Sequence, residues 1–115
     1  MKVIGRLVSL FKFLFVYGLS DNADSWRKKY GKKYDLIAAC LFKHDPGGVN
    51  YDFNSDEYHP EASYIVSKLP KAQSPVDVQK IVYRVICDMF DKSDAGPFED
   101  YESLANDIWE IWKGP

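Results

Sequence analysis

Cysteine and histidine are scarce in this 115-residue chain, with two of each. Neither residue type forms its familiar metal-binding motif. Cys40 and Cys87 are too far apart for a CxxC pair, and His44 and His59 do not form an HExxH motif. Both cysteines sit in apolar surroundings, IAACLF and RVICDMF, which read as helix interiors with buried free thiols. Glycine offers no phosphate loop either. The Gly47-Gly48 pair lacks the following Lys-Ser or Lys-Thr that a phosphate loop requires. The N-terminal stretch MKVIGRLVSLFKFLFVYGLS is rich in bulky apolar residues, but Arg6 and Lys12 interrupt it and no small-x-small cleavage pattern closes it. A membrane span needs about eighteen apolar residues in a row, so no stable membrane insertion is expected. No repeat or low-complexity tract occurs. These absences lead to the expectation of a cytoplasmic, non-enzymatic protein with no cofactor, metal site or catalytic residue.

What is present is a foldable core. Hydrophobic residues make up 46% of the chain and aromatic residues 16%, enough to argue against disorder and for one helical domain over residues 1–115. Charge is unevenly placed. Residues 1–43 hold nine basic and three acidic side chains, whereas residues 44–115 hold six basic and fourteen acidic ones. The net charge of -2 gives no reason to expect direct nucleic-acid contact. The basic segment WRKKYGKKY reads as a solvated helix face with Trp26, Tyr30 and Tyr34 turned inward.

Periodicity predicts an all-α fold, a compact irregular bundle of four or five helices. The first runs over residues 3–17, with Lys2, Gly5, Arg6, Ser9 and Lys12 in one polar sector. It fits a central bundle helix; the competing use is a cationic helix lying on an anionic membrane. Leu19 to Asn22 turn the chain, Asp24 caps a second helix, and Ser25 to Phe42 follow a helical pattern despite Gly31. YDLIAACLF, residues 34–42, reads equally as buried strand or buried helix from its pattern. Pro60 opens a short helix with Glu61 in its first turn, and Pro70 closes it. Ser74-Pro75 with Asp77 marks a clear helix start, and that helix extends to about Lys92. A last helix begins around residues 98–100 and turns Tyr101, Leu104, Ala105, Ile108, Trp109 and Trp112 inward, with Glu102, Asn106, Asp107 and Glu110 outward.

The strongest polar constellation is HDPGGVNYDFNSDEYHPE, residues 44–61. Its spacing does not match a twelve-residue calcium loop. Structurally it can be a turn, with Asp45 bonding to amides beyond Pro46 and a glycine at positive φ. As a surface, its carboxylates and aromatics suit a basic protein partner.

Two short words in this region, Asp45-Pro46-Gly47-Gly48 and Asp56-Glu57-Tyr58-His59-Pro60-Glu61, carry a likeness to known proteins. Together with the order of helices over residues 34–112, the chain resembles the small helical bacterial proteins grouped as DUF1871, and related immunity-type proteins of polymorphic toxin systems. Position 59 is His where that pattern more often has Asp, and the first helix lies outside the likeness. The resemblance implies an immunity protein that binds a cognate toxin one-to-one and inhibits it, covering a basic toxin such as a nuclease with an acidic surface. The expected contacts are Asp45, Asp52, Asp56, Glu57 and Glu61 as charge partners, Tyr51 and Tyr58 as anchors, and Asp88, Asp91 and Asp94 as an extension. The alternative is a structural homo-oligomer assembled through the N-terminal face, or a small-ligand-binding helical protein.

Overall fold

Ser74 starts the longest of the described helices. In the computed structural model, which describes residues 21–46, 59–90 and 92–114, Ser74 Oγ accepts the Asp77 amide at 3.2 Å. Asp77 Oδ2 in turn accepts the Gln73 amide at 2.9 Å. Both bonds satisfy donors near the start of a helix that has Pro75 in its first turn.

In chain order the α-helices are α1 (Asp21–Tyr30), α2 (Lys32–His44), α3 (His59–Lys68), α4 (Pro75–Met89), α5 (Lys92–Ala95) and α6 (Glu102–Lys113), with 3-10 turns at Leu69–Lys71 and Phe98–Tyr101. The fold is all-α, an irregular bundle, and the described residues contain no strand. None of the described helices is long and apolar enough to cross a membrane.

Several boundaries differ from the sequence reading, each for a local reason. Gly31 takes φ 53° and ψ -120°, so the helix expected over residues 25–42 is two helices that bend at this residue. Asp24 lies inside α1 rather than capping it. Residues 34–42 are helical throughout, with Tyr34, Ile37, Ala38 and Leu41 forming the buried stripe of α2. Helix α4 stops at Met89 because Phe90 turns extended, with φ -131° and ψ 169°. Its side chain is buried there, which offsets the lost helical turn. The helix expected over residues 3–17 lies outside the described residues.

The core joins α2, α3, α4 and α6. Ile37 and Leu41 meet Ile65, Val66, Val82, Ile86, Leu104 and Ile108 in one cluster, and all are at most 2% exposed. Burying each of these side chains contributes roughly 1.5–3 kcal/mol against the entropy of ordering the chain. Tyr34 adds a polar tie inside it, its hydroxyl 2.7 Å from Ser63 Oγ. The most extensive packing joins α4 to α6, and α2 also lies against α6. That second contact brings the C-terminal half of α2 beside the outer carboxylates of α6.

Candidate functional site

The chain between α4 and α6 is held by three side chains that reach backbone carbonyls. Tyr101 donates its hydroxyl to Ala95 O at 2.7 Å, Tyr83 to Gly96 O at 3.1 Å, and Gln79 Nε2 to Phe98 O at 3.0 Å. The Tyr83 ring stands edge-on to Phe98 and Tyr101, with centroids 5.4 and 5.1 Å away. Burial, then the neighbouring Cys87, Tyr83 and Asp100, raises the Tyr101 hydroxyl above its ordinary pKa, so it remains a protonated donor. This inner scaffold turns Glu99, Asp100 and Glu102 outward, and all three are exposed.

Here the sequence itself is acidic. Residues 93–112 contain six carboxylates and no Lys or Arg. Glu99, Asp100, Glu102, Ser103, Asn106 and Asp107 line an open depression of about 500 Å³. Asp100 also lines a smaller one, about 190 Å³, with His44, Pro46, Ala95, Tyr101 and Leu104. Small-molecule pockets usually enclose about 300–1,000 Å³. The depression beside His44 falls below that range, and the larger one is too open to surround a ligand.

Between the two depressions, three groups from two helices converge. Cys40 and His44 are one helical turn apart on α2, which places both on one face, and Asp107 comes from α6. His44 Nε2 lies 2.8 Å from Asp107 Oδ2. One ligating atom from each of the three lies within 4.8 Å of the others. Burial pushes the Cys40 thiol up to about 11, with the Asp107 charge adding to the rise and Lys43 opposing it. A thiol so placed is protonated at neutral pH, so the arrangement is not that of a poised thiolate nucleophile.

The residues expected as contacts fall into three groups. Asp45 is half-buried and ends α2 in the left-handed conformation, φ 50° and ψ 55°, its amide donating to Leu41 O at 2.8 Å. It takes a positive φ itself, as Asp tolerates; Gly47 and Gly48 lie outside the described residues. Glu61 is corrected: it is 0% exposed in the first turn of α3 and is not on the surface. Asp88 on α4 and Asp94 on α5 are half-buried. Tyr51, Asp52, Asp56, Glu57, Tyr58 and Asp91 lie outside the described residues. Glu99, Asp100, Glu102 and Asp107, the lining of the acidic depression, were not among the expected contacts. The signal that could have found them is the cation-free run of residues 93–112.

A depression of opposite character, about 290 Å³, lies between α3 and α4, lined by Tyr64, Lys68, Ile81, Arg84 and Val85. Lys68 Nζ stands 5.2 Å from the centre of the Tyr64 ring, so one of its two cations is engaged by the pocket's own wall.

These features define an all-α bundle with an acidic C-terminal surface. No protein-family model, curated protein or solved structure matches the chain, so the likeness to DUF1871 and immunity-type proteins rests on the short motifs already described.

Proposed function

We propose that this is a non-catalytic binding protein of the immunity type, acting in the cytoplasm by stoichiometric capture of a basic toxin. The observation that carries the reading is the exposed acidic surface built by Glu99, Asp100, Glu102 and Asp107. No described Lys or Arg forms an ion pair with these carboxylates. Such a surface accelerates encounter with a basic partner and disfavours acidic ones. A one-to-one complex would occlude the partner's own anion-binding site, which needs no catalytic group on this chain. The expected site therefore shifts toward residues 99–107.

Co-expression with the product of the adjoining upstream gene, followed by light scattering, tests it. A defined one-to-one complex is expected. Reversing Glu99→Lys together with Asp100→Lys should weaken that complex at least tenfold while leaving helical content unchanged. Glu102 is left intact because a lysine in the first turn of α6 would oppose the helix dipole. Recovery of monomer or self-assembled protein alone, with that partner present, would refute the reading for it; self-assembly would favour the homo-oligomer and monomer the small-ligand-binding protein.

A further inference from the structure

We infer that Cys40, His44 and Asp107 form a zinc-class metal site that clips α2 to α6. The inference does not require the partner proposed above, although Asp107 belongs to both. It begins with ligand chemistry. A thiolate, an imidazole and a carboxylate are the three donor types that Zn²⁺ accepts, whereas Ca²⁺ and Mg²⁺ prefer oxygen alone. Three protein ligands leave a fourth position for water, as in sites that are not closed.

Geometry supports the same assignment. Cys40 and His44 stand one helical turn apart, the i, i+4 spacing that puts two donors on one face of a helix. The third donor comes from the helix packed against that face. From ordinary Zn–S, Zn–N and Zn–O lengths, donors around a tetrahedral ion stand about 3.3–3.7 Å apart. His44 Nε2 and Asp107 Oδ2, at 2.8 Å, would part by about half an ångström. The remaining separations, within 4.8 Å, would close by up to about 1 Å, which small side-chain rotations on fixed helices can supply. On binding, the Cys40 thiol releases its proton to solvent and the His44 imidazole coordinates through a neutral nitrogen.

Access provides a separate argument. His44 lines one solvent-open depression and Asp107 the other, and the two share Asp100. An ion can therefore enter and the fourth position can hold water. The surrounding carboxylates Glu99, Asp100 and Glu102 favour the approach of a dication.

The test uses the isolated full chain, freed of metal by a chelator, and titrated with Co²⁺ and then Zn²⁺. Co²⁺ should produce a near-ultraviolet thiolate charge-transfer band, bleached by Zn²⁺. The band should persist in Cys87→Ser, disappear in Cys40→Ser, and require at least tenfold more Co²⁺ in Asp107→Asn. Zn²⁺ should also raise the Tm of the unaltered chain. Absence of the band, or its survival in Cys40→Ser, would overturn the assignment. If Cys40→Ser does not fold, alkylation of the unaltered chain decides: Zn²⁺ should slow Cys40 modification at least tenfold and leave Cys87 unchanged. Equal behaviour of the two cysteines would overturn it.

Discussion

The basic region at α1 and α2 and the acidic region at α6 carry opposite charge, but they hold it differently. On the basic side Arg27, Lys29 and Lys33 lie over rings or meet acceptors. Lys29 Nζ is 5.6 and 5.4 Å from the Trp26 and Tyr30 ring centres, and the Arg27 guanidinium is 5.9 Å from that of Tyr34. Lys33 donates to Trp112 O at 2.8 Å and sits 5.5 Å from the Trp112 ring centre. Arg27 also pairs with Asp35 at 2.9 Å. On the acidic side, Glu99, Asp100 and Glu102 project from a turn whose rings face the other way, into the core. Basic side chains here cover apolar surface with their stems and complete the packing, whereas the carboxylates are left to solvent. Net charge treats the two regions as equals, although Arg27, Lys29 and Lys33 are engaged by rings and acceptors while Glu99, Asp100 and Glu102 face solvent.

That contrast can be broken by mutation, most sharply where the regions meet. Ile108→Ala, in the seam between them, should cost about 2–5 kcal/mol in denaturant unfolding. A loss under about 1 kcal/mol would mean the seam does not hold the two regions together. Trp112→Ala should come next, at about 2 kcal/mol, because it removes the half-buried ring that Tyr30 meets at 5.1 Å and Lys33 covers. Trp109 is also only half-buried, so its truncation should fall below the core range.

Alkaline pH probes the seam without mutation. The folded Cys40 thiol titrates at about 11 against an ordinary 9.0, and Tyr101 shifts in the same direction. A raised folded pKa stabilises fully below the unfolded value and loses that contribution as pH climbs through the folded one. The Tm should therefore fall between about pH 9 and pH 11. Cys40 should also alkylate about a hundredfold more slowly than an unstructured cysteine near pH 8, since two pKa units separate their thiolate fractions. Smallest of all should be the effect of Glu99→Lys with Asp100→Lys on stability, about 0.5 kcal/mol or less by thermal unfolding. A large loss there would show the acidic surface to be a structural element and would erase the contrast.

Helices with strong start signals and clean apolar stripes were readable from the sequence. Ser74 with Pro75 and Asp77 specified both cap and direction, and Val82, Ile86, Leu104 and Ile108 fell on the buried faces their spacing required. The break at Gly31 was less visible, because glycine inside a helical pattern costs little enough to be tolerated and bends the chain only when tertiary packing selects it. Acidic character was legible; its placement was not. Glu61 occurs in a word rich in exposed residue types, yet the packing of α3 buries it. His44 and Asp107 are 63 residues apart, and only the docking of α2 on α6 brings them together. Spacing rules detect donors on one helix, so they could see Cys40 and His44 as a pair but not the third group.

Gly31 imposes a further condition on this chain, one of handedness. A Cβ added there would meet nothing within 4 Å, but the backbone is at φ +53° and ψ -120°. Space is therefore no obstacle to a side chain; its chirality is. Inverting both angles gives a conformation that ordinary L residues occupy readily, so the mirror-image amino acid is suited to the position that L-alanine would strain. The junction between α1 and α2 discriminates between two molecules of identical composition and size, and a chain assembled with D-alanine at this one residue should keep the bend while giving up glycine's freedom in the unfolded state.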